Sequence, residues 1–227
     1  MIKRTFPLLI SYLIVFNFLI VSSGDCGGFR LVDQSAQASA KGNAFVATAD
    51  DPSAVHYNPA GITQLEGTQF LSGTFITSLD VDHKRPDGGS SSTTNKVAGP
   101  PQVYATTELG ESDFSFGLGI NSTFGQGVEW PQDISEFRTG VIEVFLLYLT
   151  LSPVIAWEVN DELSIGGGID FNYGDLFLTS GLDPEGIDDR LEFDYNGFGT
   201  GFRFGVLWQP EKEHSFGASY HSASMSV

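Results

Sequence analysis

The chain has 227 residues, with 28 Asp and Glu against 11 Lys and Arg, a formal net charge of −17 and one cysteine. The acidic balance excludes a nucleic-acid partner, because phosphate binding needs a basic surface, and a lone cysteine excludes a disulfide framework within the chain. With 27 Gly, 19 Phe and a mean hydropathy near zero, the chain is too polar for a helical membrane protein and unusually rich in Gly and Phe for a soluble domain.

The first 26 residues have the pattern of a secretory signal peptide. The basic pair Lys3-Arg4 precedes an apolar run at 6–21 and small residues at 22–24. Cleavage fits after residue 24 or after Cys26. A lipid anchor on Cys26 is disfavoured because an acidic residue precedes it. We therefore exclude residues 1–26 from the fold, and no later segment is apolar for the roughly 20 residues that a membrane-spanning helix needs.

Residues 67–227 follow a repeat of two residues, which is typical of strands with two unlike faces. In the segment 114–121, large apolar residues alternate with Ser, Gly and Asn, and the segment 163–177 continues this alternation beyond the length of an average globular strand. We predict seven strands, with apolar positions spread over 71–81, 103–109, 114–124, 144–157, 163–177, 198–208 and 216–220.

The connections between these strands alternate in length. Tight turns are expected at 110–113, 160–162 and 210–214, and long polar loops at 85–99, 125–140 and 180–192. Short turns at one end and long loops at the other are typical of an outer-membrane β-barrel, which must close because lipid offers no hydrogen-bond partners to a sheet edge. Aromatic residues near the strand ends suit the interfacial girdles of such a barrel: Trp130, Trp157, Trp208, Phe216 and Tyr220.

Residues 27–66 are different, because they are rich in Ala and lack the repeat of two. They contain an Ala-rich stretch at 37–47, an acidic pair at Asp50-Asp51 and the tripeptide Asn58-Pro59-Ala60. In these features the chain resembles the FadL/TodX family of outer-membrane transport proteins, in which such a stretch is helical and belongs to a hatch inside the barrel lumen. We therefore call residues 27–66 the hatch segment.

The resemblance extends from Gly27 to the end of the chain. The start Gly27-Gly28-Phe29 is similar to the family's mature N-terminus, and Ser115–Trp130 is similar to its third strand. The resemblance implies an all-β fold, an antiparallel transmembrane β-barrel with a small N-terminal helical hatch. The family's barrel has fourteen strands, so we expect a partial barrel at 67–227 with its C-terminal half missing. A natural half-barrel that closes by dimerising is the alternative.

The resemblance also implies a function in the outer membrane. The full-length protein is expected to be a monomeric barrel in contact with lipid and lipopolysaccharide. It would take up long-chain fatty acids or other hydrophobic compounds passively, by ligand-gated lateral diffusion that the hatch controls. Phe29 would contact the ligand pocket, and the rigid corner of the hatch would face a kink in the third strand. The implied ligand-binding or gating residues are Phe29, Asn58, Pro59, Ala60, Thr123, Phe124 and Gly125.

Other functions are less consistent with the residues. A structural barrel or adhesin would not need the hatch segment, and a soluble periplasmic lipid-binding sandwich should have polar outer faces. An enzyme is not expected, since His221 and Ser222 are strand neighbours that point to opposite faces. Neither the histidines nor the acidic residues at 183–189 have metal-ligand spacing, so no cofactor or metal is expected. An aromatic hydrocarbon remains an alternative substrate to a fatty acid.

Overall fold

Seven long strands form one antiparallel sheet in which each strand pairs with the next long strand along the chain. The computed structural model describes residues 30–84, 86, 88–94, 96–131, 140–182 and 189–226. The predicted signal peptide, Phe29 and the acidic loop residues 183–188 lie outside the described residues. The sheet order is β1 (Thr68–Thr74), β6 (Pro101–Glu108), β7 (Phe114–Glu129), β8 (Glu143–Asn160), β9 (Leu163–Gly181), β10 (Arg190–Glu211) and β11 (His214–His221), and β12 (Met225–Ser226) pairs with β10.

The two faces of the sheet are inverted relative to a soluble protein. In β7 the apolar residues at 114, 116, 118 and 120 are exposed, whereas the intervening Ser, Gly and Asn residues are buried. Phe116 is 39% exposed and Ser115 only 5%. An apolar outer face with a small or polar inner face is what a sheet needs to cross lipid, and it disagrees with a sandwich whose aromatic residues fill one core. No helix in the described part of the chain is long and apolar enough to cross a membrane.

The predicted alternation of short and long connections is present. Residues 110–113, 161–162 and 212–213 connect the strands by short turns. At the opposite end the strands are longer than predicted, since β9 continues to Gly181 and β10 begins at Arg190. Beside two of the turns, outer-face aromatic rings stack, Phe114 on Trp157 at 6.0 Å and Trp208 on Phe216 at 5.4 Å, as an interfacial girdle requires.

The predicted first strand at 71–81 is wrong beyond residue 74. β1 ends where Thr74 pairs with Pro101, which has no N–H with which to continue the ladder. The chain then forms two short hairpins outside the main sheet. In these, β2 (Thr77–Leu79) pairs with β5 (Lys96–Ala98), and β3 (Asp82–Lys84) pairs with β4 (Ser90–Ser92).

The hatch segment, described from residue 30, packs against the inner face of the sheet. It contains helices α1 (Ala36–Ala40) and α2 (Ala54–Tyr57) and a 3-10 helix at Pro59–Gln64. The predicted helical stretch at 37–47 is shorter than expected, because Gly42 and Asn43 adopt positive φ angles of 62° and 62° after α1. The buried apolar core lies between this segment and the sheet, and includes Phe45, Val55, Ile62, Tyr104 and Val154.

Candidate functional site

Asn58 is the centre of the corner formed by Asn58, Pro59 and Ala60. Its side chain is fully buried, and its Oδ1 accepts a hydrogen bond from the Ala60 N–H at 3.2 Å, which caps the 3-10 helix. Its Nδ2 donates to the carbonyl of Val46 at 2.7 Å and to that of Val206 in β10 at 3.0 Å. One side chain therefore joins two parts of the hatch segment to the wall.

Glycines on the inner face of the wall allow this close approach. A Cβ atom on Gly205 would collide with Asn58 Oδ1, and one on Gly166 would lie 2.6 Å from the Ala60 nitrogen. In β11, a Cβ on Gly217 would collide with the carbonyl of Val46. The backbone of the hatch segment thus lies directly on the backbone of β9 and β11, and the side chains of Asn58 and Pro59 lie on that of β10.

The third long strand, β7, contains a β-bulge. Between the pairs Asn121–Thr150 and Phe124–Tyr148 it has one residue more than β8. The β6 ladder ends at the same point, since its last pair joins Gln102 to Asn121. Ser122 and Thr123 therefore pair with neither neighbouring strand, and this gap in the ladders lies where the family resemblance implies a kink.

The bulge is contacted by the first residues of the described hatch segment. The Leu31 N–H donates to the Thr123 carbonyl at 2.8 Å, and Gln34 Nε2 donates to the Ser122 carbonyl at 2.9 Å. Gln34 is fully buried, and its Oε1 accepts a hydrogen bond from Asn121 Nδ2 at 3.2 Å. These bonds satisfy backbone carbonyls that the interrupted ladders leave without strand partners.

The expected contact between the Asn58 corner and the bulge is therefore wrong. The corner lies on the glycines of β9 and β10, and Leu31 and Gln34 reach the bulge instead. Of the predicted site residues, Asn58, Pro59 and Ala60 form one group and Thr123, Phe124 and Gly125 another. Sequence reasoning missed Gln34, for which the only signal is a polar residue just before the Ala-rich stretch.

Two cavities are lined in part by residues that contact the bulge. One, of about 350 Å³, lies between the hatch segment and β1 and β6, and Gln34 is among its lining residues. The other, of about 330 Å³, lies on the inner face of β8 to β10, where Leu146, Tyr148 and Leu176 line it over Gly197 and Gly199. Tyr148 also makes an edge contact with Phe124 of the bulge at 5.7 Å between ring centroids. Both volumes fall in the range of small-molecule pockets.

The carboxamide of Asn172, which lines the second cavity, is already paired with protein atoms. Asn172 Oδ1 accepts from Thr150 Oγ1 at 2.9 Å, and its Nδ2 donates to Ser224 Oγ at 3.1 Å. The mostly apolar lining of this cavity favours a hydrophobic ligand over a polar one. Within the described ranges, no group of three or more His, Cys, Asp or Glu side chains could hold a metal ion.

Known proteins share this sequence pattern and fold. The family model described as outer membrane protein transport protein (OMPP1/FadL/TodX) matches residues 18–226. The long-chain fatty acid transport protein of Escherichia coli O6:H1 is 27% identical over 90% of this chain and 52% of its own length. Outer membrane protein P1 of Haemophilus influenzae is 26% identical over 90% of this chain and 55% of its own length. The chain thus spans about half the length of these curated relatives.

Solved structures confirm the predicted fold, a partial antiparallel β-barrel with a helical hatch. The toluene transporter TbuX of Ralstonia pickettii matches with a TM-score of 0.62 and 22% identity, over 77% of this chain and 53% of that one. A FadL homologue of Pseudomonas aeruginosa matches with a TM-score of 0.56 and 19% identity, over 78% of this chain and 48% of that one. From the extent of the family match, the chain belongs to the OMPP1/FadL/TodX family of outer membrane transport proteins.

Proposed function

We propose that this outer-membrane protein is a channel for the passive uptake of long-chain fatty acids or other hydrophobic compounds. The observation that carries the proposal is the gap at Ser122 and Thr123, whose carbonyls are hydrogen bonded to the hatch segment. A wall that lacks strand pairing beside a cavity gives an apolar molecule a lateral route to the lipid. Such a route avoids passage through the whole polar lumen.

The hatch contacts suggest how a ligand gates this route. Leu31 and Gln34 close the gap from the inside, and Phe124 connects the gap to the cavity that Tyr148 lines. A hydrophobic ligand that binds better when the Tyr148 side chain has shifted would favour a second state of the protein. In that state the bonds from Leu31 and Gln34 to the bulge are broken. Because a ligand shifts an equilibrium only by its differential affinity for the two states, this mechanism needs no other energy source.

The names of the relatives include both substrate classes, fatty acids and toluene. The apolar cavity suits either a fatty-acid chain or an aromatic hydrocarbon, and we propose the fatty acid first because it is named for the relative that aligns with 90% of this chain. We further propose that the complete protein acts as a monomeric barrel in contact with lipopolysaccharide. Under this proposal the corner of Asn58, Pro59 and Ala60 fixes the hatch on the wall, and Phe29 belongs to the ligand pocket.

Uptake by cells that express the complete reading frame tests the proposal. Outer membranes are isolated, heat-modifiable migration reports the folded barrel, and uptake of labelled oleate and labelled toluene is measured. The Gln34→Ala variant loses the side-chain bonds to Ser122 and Asn121 at the bulge, whereas the matched Gln37→Ala variant loses only an exposed bond to Asp50 within the hatch segment. We expect uptake in the wild type, altered uptake with Gln34→Ala and unchanged uptake with Gln37→Ala. A folded wild-type barrel that takes up neither compound would indicate a structural barrel instead.

A further inference from the structure

Arg203 is a buried cation on the inner face of β10, and the gating contacts described above do not use it. The residue is 3% exposed, and its cross-strand neighbour in β9 is Gly168. A charge so deeply buried requires a partner, because its transfer out of water is unfavourable.

The partner is Asp170 on β9, which is 7% exposed. Arg203 Nε and Nη2 lie 2.7 Å and 2.6 Å from Asp170 Oδ1, and Ser152 Oγ of β8 donates to the same oxygen at 2.8 Å. Three neighbouring strands therefore hold the guanidinium in one orientation. A fixed guanidinium presents its remaining N–H groups in a defined direction.

The Nη1 group of Arg203 points to the end of helix α2 in the hatch segment. Arg203 Nη1 donates to the Val55 carbonyl at 2.7 Å and to the His56 carbonyl at 3.4 Å. Continued helix would pair these carbonyls with the N–H groups of residues 59 and 60. Pro59 has no N–H, and the Ala60 N–H is donated to Asn58 Oδ1. The Asn-Pro-Ala tripeptide thus leaves two carbonyls without helical donors, and the wall supplies a donor for both.

We propose that Arg203, oriented by Asp170 and Ser152, is the positioning residue that holds the hatch segment closed against the wall. The contact joins the charged guanidinium of the wall to backbone carbonyls of the hatch segment. Because charge-assisted hydrogen bonds are stronger than neutral ones, it stabilises the closed position of the hatch more than a neutral bond would. Loss of this contact frees α2 while leaving the ladders of β9 and β10 intact. The inference rests on the proposed function, because a closed hatch has a role only in a channel. Hatch closure itself is measurable without any hydrophobic substrate.

The test uses the complete reading frame, purified from outer membranes and reconstituted into planar bilayers in potassium chloride. Arg203→Lys keeps the charge, but a single ammonium on a shorter reach cannot hold both Asp170 and Val55 in this geometry. The double variant Arg203→Met with Asp170→Asn removes both charges, so that no ion is left buried alone. Thr107→Val is the control, because it removes a side-chain bond to Thr68 between the wall strands β6 and β1 that does not involve the hatch segment or either cavity.

We expect all folded variants to keep heat-modifiable migration, while ion conductance rises about tenfold in Arg203→Lys and in the double variant and stays at the wild-type value in Thr107→Val. A tenfold change corresponds to the loss of about 1.4 kcal/mol from the closed state. Wild-type conductance in folded barrels of both variants would overturn the proposal. Failure of both variants to fold would also overturn it, because Arg203 would then serve barrel assembly. Absence of hydrophobic uptake in the wild type would instead overturn the proposed function alone.

Discussion

The carboxamide of Asn58 donates a hydrogen bond to the carbonyl of Val206, which follows it by 148 positions in the sequence. Asn58 also donates to Val46 and caps the 3-10 helix, so its side chain bonds at three points without exposure to water. This residue fixes the hatch segment on the wall more directly than any other member of the Asn58, Pro59 and Ala60 corner.

Replacement of Asn58 should therefore destabilise the hatch. Asn58→Ala leaves the carbonyls of Val46 and Val206 without this donor, and each buried unsatisfied group costs about 1–3 kcal/mol. We expect proteolysis of the hatch segment to be faster in folded barrels of Asn58→Ala than in those of the wild type. Asn58→Asp retains an acceptor for the Ala60 N–H but no donor. Its hatch segment should therefore be no better protected against proteolysis than that of Asn58→Ala. Near-normal protection in Asn58→Asp would show that only the helix cap matters.

Gly205 should not tolerate a side chain. In Gly205→Ala the new Cβ would collide with Asn58 Oδ1, and overpacking of this kind costs about 1–3 kcal/mol. We expect a lower temperature for the heat-modifiable transition. Gly197→Ala in the same strand is the control, since its Cβ would meet its nearest neighbour at 3.7 Å. Equal transitions for the two variants would contradict the close packing of the corner.

The cavity on the inner face of β8 to β10 should bind the hydrophobic compound. Leu176→Ala removes an apolar side chain from its lining, and the loss of about 2 kcal/mol of burial should raise the Kd for a labelled oleate or toluene probe by more than tenfold. The matched variant Leu147→Ala changes a residue of β8 whose partners in the ladders are Gly125 and Asp175 and which does not line the cavity. Similar Kd values for both variants would place the ligand elsewhere.

The sequence predicts most of the sheet because small or polar residues on its inner face alternate with large apolar residues on its outer face. Phe116 and Gly117 illustrate the alternation that identifies a strand and both of its faces. Periodicity does not identify strand partners, however, so the end of β1 at Thr74 was not predicted, and the apolar residues beyond it belong to a separate hairpin.

The site was less predictable than the sheet. The Asn58 corner was recognised as a tripeptide, but its position on β9 and β10 depends on Gly166 and Gly205, which look like the other strand glycines in the sequence. The contacts of Gln34 with Ser122 and of Arg203 with Val55 join residues 88 and 148 positions apart. Such contacts follow from the curvature of the sheet around the hatch segment, which no local pattern encodes.

Deletion of Thr123 tests the lateral route most directly. Removing one residue makes β7 and β8 equal in length between the Asn121–Thr150 and Phe124–Tyr148 pairs, so the ladder can continue through the bulge while the residues before Ser122 and from Phe124 onward keep their faces. Thr123→Ala is the control, because it keeps the extra residue and the backbone carbonyl that accepts from Leu31. We expect the deletion variant to form a heat-modifiable barrel but to lose uptake of labelled oleate and toluene, while Thr123→Ala retains it. Normal uptake through a folded barrel without Thr123 would contradict a lateral exit at the bulge.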